Sequence, residues 1–214
     1  MGKSFAILGM GRFGKKLALC LYDFGADVMA VDNNPEQLEK VSGSVTYAIQ
    51  ADLRDPDDIK GIGLENTDVV VVAMGSDLTA SIMSVMVSKE LGVPYVMAKA
   101  ADERMGSVLT KVGADKVIYP EEETGIRTAR ILTSESFLDF FEIDDNLCVL
   151  EIQPKKEWIG KNLLELKLRD KYKMNVVAVK SDGKMHSVID PNKPIEEDNA
   201  MLVVLDRSNL KKLG

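Results

Sequence analysis

One histidine, two cysteines and one tryptophan among 214 residues leave little material for several kinds of chemistry. His186 stands alone in a polar hairpin pattern, so histidine–metal clusters and Ser–His or Cys–His nucleophile pairs have almost nothing to be built from. Cys20 and Cys148 lie far apart in apolar stretches and read as small buried hydrophobes in a reducing cytoplasm. There is no excess of basic residues: the net charge is −7, which excludes an overall electrostatic footprint for nucleic acid. No apolar run approaches the roughly 20 residues of a membrane span. The first apolar stretch is broken early by Gly9-Met10-Gly11-Arg12, so no signal peptide is expected. With 45% hydrophobic and 29% charged residues the balance is globular, with length for one ordinary domain plus a small one.

What the chain does have is a glycine pattern in a telling place. The run Ser4-Phe5-Ala6-Ile7-Leu8 has strand composition and meets Gly9, Gly11 and Gly14, after which Lys15 to Leu21 is helical in pattern. This is G-x-G-x-x-G with a strand before it and a helix after it. Gly9 permits the tight turn, Gly11 lets backbone approach a phosphate, and Gly14 lets helix and strand pack closely. The unpaired N–H groups and dipole of the helix start then favour an anion. The next strand, Val28 to Val31, runs into Asp32, eighteen positions beyond Gly14. An acid there accepts hydrogen bonds from ribose hydroxyls and repels a 2′-phosphate. Together they point to an adenine nucleotide.

From residue 1 to about 120 short apolar runs alternate with helical stretches, the rhythm of a parallel sheet covered on both faces. Six strands are expected: Phe5–Leu8, Val28–Val31, Tyr47–Gln50, Val69–Ala73, Tyr95–Ala98 and Lys116–Tyr119. That makes one doubly wound α/β domain, whose ligands sit beyond the carboxyl ends of the strands. Gly9 to Gly14, Asp32, Asp52, Gly75 to Asp77, Lys99 and Glu121 all fall at those ends. A helix is expected from Glu122 to Phe141, closing on the aromatic stretch Phe137-Leu138-Asp139-Phe140-Phe141. Beyond the Asp144-Asp145-Asn146 turn the rhythm changes to a small α+β module, with Asp182-Gly183 as a hairpin turn.

At Gly9-Met10-Gly11-Arg12-Phe13-Gly14, Asp32, Asp52, Ala98-Lys99-Ala100 and Pro120-Glu121-Glu122-Glu123-Thr124-Gly125 the sequence resembles the KtrA/TrkA family of regulators of potassium conductance (RCK). The resemblance runs over essentially the whole chain. It implies a Rossmann-like RCK-N domain over residues 1–133, a crossover helix and linker over 134–145, and an α+β RCK-C domain over 146–214. It further implies a cytoplasmic subunit that performs no chemistry, pairs with itself into dimers and an octameric ring, and lies under a membrane potassium-translocating subunit of the KtrB/TrkH kind. ATP and ADP would bias that ring, with NAD or NADH as the alternative ligand seen in TrkA-like relatives. A divalent cation, Mg2+ or Ca2+, would sit between subunits. Several relatives bind cyclic di-AMP in the C-terminal module at positions matching Arg169, Lys171 and Asn175; here Lys173-Met174 stand where Gly-Cys is common, and Ile189 where proline is frequent.

The candidate ligand-binding residues are Gly9, Met10, Gly11, Arg12, Phe13, Gly14, Asp32, Asn33, Asp52, Leu53, Met74, Gly75, Ser76, Asp77, Lys99 and Glu121. Arg12 sits inside the glycine loop, where a guanidinium forks onto phosphate oxygens, including those of a neighbour's nucleotide. Asp52 reads either as an acceptor for the adenine amino group or as a helix cap. Glu121 is the metal candidate, weighed against a solvated acidic helix start. Phe137, Leu138, Phe140 and Phe141 are expected to pack against another subunit. Two other functions compete: a nicotinamide-dependent dehydrogenase, which lacks a visible substrate domain, and a redox-sensing transcriptional regulator, which lacks a basic DNA-binding element.

Overall fold

The computed structural model describes residues 2–133 and 137–213, which divide into two compact units, residues 1–121 and 122–214. In the first, β1 (Ser4–Leu8), β2 (Asp27–Asp32), β3 (Tyr47–Gln50), β4 (Val69–Val72), β5 (Tyr95–Lys99) and β6 (Lys116–Ile118) alternate with helices. Those helices are α1 (Arg12–Asp23), α2 (Pro35–Glu39), α3 (Pro56–Gly61), α4 (Leu78–Glu90) and α5 (Glu103–Lys111). The sheet is parallel with order β3-β2-β1-β4-β5-β6, the doubly wound arrangement whose order reverses between β1 and β4.

Alternate side chains of each strand face opposite layers, and the burial pattern follows that period. Ala6, Leu8, Val70, Val72, Val96 and Ala98 join Ile59 of α3, Val85 of α4 and Leu109 of α5 in one core. Ile7, Val28, Ala30 and Val71 join Ala18 of α1 and Leu38 of α2 in the other. The helix starts are set locally. Asn34 caps α2 by accepting the Glu36 N–H with Pro35 in the first position, while Asp77 and Asp102 cap α4 and α5. A Cβ at Gly106 would lie 1.8 Å from the Tyr119 hydroxyl, so this glycine opens the seat in α5 that Tyr119 fills.

α6 (Pro120–Leu132) begins at the end of the first unit. The helix expected to run on to Phe141 instead ends at Leu132, and Phe137–Glu142 is a strand, β7. β7 pairs antiparallel with β8 (Leu147–Ile152) as a hairpin closed by Asp144, whose Oδ1 accepts the Asn146 and Leu147 N–H groups at 2.8 and 2.7 Å. Aromatic side chains suit a half-buried pleated surface, and the cross-strand partner lies just beyond the turn, which overrides the helical reading. Ser134 to Ser136, the start of the expected crossover segment, lie outside the described residues. Two ion pairs tie α6 to β7: Arg127 forks onto Asp139, with its guanidinium carbon 4.3 Å from the centre of the Phe141 ring, and Arg130 meets Glu142.

The rest of the second unit is α7 (Leu163–Leu166), α8 (Leu168–Tyr172), β9 (Met174–Ser181), β10 (Lys184–His186) and β11 (Ala200–Asp206), with sheet order β10-β9-β11-β8-β7. The two short helices α7 and α8 are separated at Lys167, whose φ of 48° is left-handed. Asp182 and Gly183 both take positive φ in the β9–β10 turn, as the hairpin reading requires. Phe140 is only 2% exposed and sits in this unit's own core with Leu150, Trp158 and Met201, correcting its assignment to a subunit interface. Leu138 and Phe141 remain exposed. Cys148 is fully buried, and burial pushes its thiol up in pKa, whereas Cys20 is half-buried.

Candidate functional site

A cavity of about 580 Å³ opens at the carboxyl ends of the first unit's strands, at the switch between β1 and β4. Its floor is the glycine loop. Gly9 has φ of +98° and donates its N–H to Val31 O at 2.7 Å, which fixes the turn out of β1. Gly14 lies beneath that turn. Gly11 is the N-cap of α1, has extended backbone, and has nothing within 4 Å of where a Cβ would be. α1 has no side-chain cap and no acidic residue in its first turn. Its first N–H groups are therefore left to whatever anion enters.

Asp32 at the end of β2 is committed on both oxygens. Oδ2 accepts the Met10 N–H at 2.6 Å and Oδ1 the Asn34 N–H at 2.9 Å. Each carboxylate oxygen keeps a further lone pair, enough to accept from a pair of hydroxyls. Asp52, after β3, accepts the Arg54 N–H on Oδ1 at 2.9 Å and does not cap α3; Asp55 does that.

Three cations line the cavity in different states. Arg12 is exposed and has no hydrogen bond or ion pair among the described residues. The side chain of Lys99 is 12% exposed, passes over Gly75 (where a Cβ would lie 3.0 Å from Lys99 Cε) and pairs with Glu121. Its ammonium also lies 5.8 Å from the Phe13 ring centre. Arg54 pairs with Asp77.

The two acids respond. The hydrogen bond from Lys99 holds the Glu121 carboxyl below its usual range, and the Ala80 N–H, helped by Arg54, does the same for Asp77. A carboxylate depressed in the folded state binds its proton first when unfolded, so its stabilisation is full above the ordinary carboxylate range and lost below it. The first unit's melting temperature is expected to stay level from about pH 7 to pH 5 and to fall through about pH 4. Asp77→Asn, which keeps an oxygen for the helix cap, should flatten part of that fall. A variant profile that follows the wild type through the acid range would contradict it.

Of the residues singled out in the sequence, Gly9, Gly11, Arg12, Phe13, Asp32, Asn33, Asp52, Leu53, Met74, Gly75, Ser76, Asp77, Lys99 and Glu121 line this one cavity. Met10 and Gly14 do not: the Met10 side chain is 1% exposed in the core and contributes through its N–H, and Gly14 supports the loop from below. Arg54 lines the cavity and was not anticipated. The signal that could have found it is its place two residues after Asp52, at a strand end where ligands collect. Among the described residues no three His, Cys, Asp or Glu side chains stand together as a metal site. In the second unit Arg169 Nε donates to Asn175 Oδ1 at 2.8 Å, and His186 lines a separate hollow of about 270 Å³.

This arrangement can hold a polyanion at the loop and a diol at Asp32. Residues 5–120 match the model of the TrkA-N domain. Ktr system potassium uptake protein C of Bacillus subtilis (strain 168) is 32% identical over 206 residues, covering 95% of this chain and 92% of the relative. Ktr system potassium uptake protein A of Vibrio alginolyticus is 34% identical over 204 residues, covering 94% and 92%. Among solved structures, the GsuK RCK domain is similar in fold, with a TM-score of 0.68 at 16% identity; the match takes in 99% of this chain and 46% of that one. The GsuK channel bound to NAD gives the same score and identity over 39% of its length. With the TrkA-N model matched over more than half of its length, and identities above 30% to Ktr proteins over nearly all of it, the chain belongs to the TrkA-N family alongside the Ktr system potassium uptake proteins.

Proposed function

We propose that this protein is a regulatory subunit of a potassium uptake system, which senses an adenine nucleotide in the first unit's cavity and performs no chemistry on it. The observation that carries the reading is the convergence of the glycine loop, the uncapped start of α1, Asp32 and an unpaired Arg12 on one cavity, in a relative of Ktr proteins. Loop amides hold the phosphates, Asp32 accepts from the ribose hydroxyls, and Arg12 reaches the terminal phosphate, its own or that of a neighbouring copy. Neutral backbone donors grip ATP and ADP alike, so the charges that reach the terminal phosphate, Arg12 and a cation on Glu121, are what discriminate them. A ligand biases a switch only by its difference in affinity for the two states.

The finer assignments belong to the same reading. ATP and ADP are the ligands that the switch compares, with NAD or NADH as the alternative that uses the same ribose acid. Glu121, freed from Lys99, supplies one carboxylate to Mg2+ or Ca2+, and a second copy supplies the other. That requires a dimer, which the family's octameric ring contains. The ring acts on a KtrB/TrkH-like membrane subunit from the cytoplasmic side. Among the described residues no helix is long and apolar enough to cross a membrane, in keeping with a separate translocating partner.

Calorimetry with ATP, ADP and NADH, together with light scattering, tests the proposal. Binding of adenine nucleotides to a ring-sized oligomer without NADH oxidation is the expected result; a monomer that binds none of the three would discard it. Arg12→Ala should weaken ATP by about tenfold or more and ADP by less than about threefold, since a charge-assisted hydrogen bond is lost only from the former. Equal losses would remove Arg12 from the terminal phosphate.

A further inference from the structure

The loops after β3 and β4 leave strands three places apart in the sheet, roughly 14 Å at ordinary strand spacing, yet they touch. The contact is Arg54 on Asp77: Nε donates to Oδ2 at 2.9 Å and the Nη2–Oδ2 distance is 2.7 Å. Both ends are fixed in advance. The Arg54 N–H is held by Asp52 Oδ1, and Asp77 is held by its cap to the Ala80 N–H at 3.0 Å. Ser81 Oγ lies 2.7 Å from both Met74 O and Asp77 O and donates its one proton between them, which stiffens the β4 loop.

The pair crosses the ends of β2 and β1, from which Asp32 and the glycine loop project, and both of its residues line the cavity. Its side chains are 63% and 30% exposed, so as a fixing for the fold it contributes little. A contact that is weak, preorganised and placed over an opening is suited to parting and re-forming. Arg54 is also neutralised by Asp77, unlike Arg12, and so adds no net charge toward phosphate.

We propose that the Arg54–Asp77 ion pair is a clasp over the adenosine flank of the cavity, which sets how long a nucleotide stays without reading how many phosphates it carries. The inference rests on the nucleotide reading above. Arg54 acts here by enclosing the ligand, and its effect belongs to the dissociation rate.

The test is release of radiolabelled ATP and ADP from the full-length protein into excess unlabelled nucleotide. Arg54→Ala and Asp77→Asn should each speed release by about two- to fivefold, the value of one exposed ion pair. The factor should be the same for both nucleotides, and the double variant should be no faster than the singles. Asp77→Asn keeps an oxygen for the cap, and a cooperative melting transition at neutral pH, lowered by no more than the few degrees that one exposed ion pair accounts for, shows that each variant is folded. Unchanged release in both singles, additive effects, or acceleration confined to ATP would overturn the clasp. If the wild type retains no label at all, the nucleotide reading falls first and the clasp with it.

Discussion

Replacing Gly14 with alanine is expected to break the first unit's fold. The added Cβ would lie 1.9 Å from Gly9 O, 3.2 Å from Gly9 C and 3.0 Å from Ala73 Cβ. The first two are backbone atoms of the turn, and Gly9 is anchored by its N–H to Val31 O, so the clash has no flexible side chain to displace. Relief means lifting α1 off the sheet, which also opens the core around Ala18 and Val71. Overpacking against immobile neighbours costs about 3 kcal/mol or more, a large share of the 5–15 kcal/mol that typically holds a domain together. Urea denaturation followed by circular dichroism should show the early transition moved to much lower denaturant. A wild-type midpoint would mean that the turn yields more easily than its hydrogen bond suggests.

Gly11→Val should do the opposite: leave the fold intact and abolish binding. Gly11 has φ of −64° and ψ of −173°, open to any residue, and no atom stands within 4 Å of its Cβ position. Nothing in the chain therefore requires glycine there. The branched side chain would occupy the space beside the loop amides that a phosphate needs. Losing those contacts should weaken ATP and ADP alike by at least about a hundredfold, or roughly 2.7 kcal/mol, with an unchanged melting temperature. Calorimetry checks the first part and thermal melting the second. Retained affinity would show that the phosphates lie elsewhere. Two glycines of one motif are thus predicted to fail in different ways, one in folding and one in recognition.

The first unit was legible because its information is local. Alternating strands, capping residues and glycines each specify their own few residues, and the doubly wound order follows from the repeated strand–helix rhythm. The second unit was harder to read for a physical reason. Phe137 to Glu142 carries both helix-compatible spacing and strand-favouring aromatics, and the choice is made by pairing with Leu147 to Ile152. The break at Lys167 has no glycine to announce it. Arg54 escaped notice because an exposed arginine in a loop has no periodicity; its meaning comes from an Asp77 twenty-three residues away. Asp32 was read for its charge toward a ligand, while its bond to the Met10 N–H depends on the turn being already in place.

On the proposed nucleotide reading, that last bond makes the end of the cavity assigned to the sugar and the end assigned to the phosphates share a single carboxylate. Whatever draws electron density from one oxygen of Asp32 alters its hold on the Met10 amide, and with it the loop that greets the anion. The free energies of the two ends are therefore not a plain sum. A bare polyphosphate and a bare nucleoside, measured separately, would misstate what the joined molecule achieves.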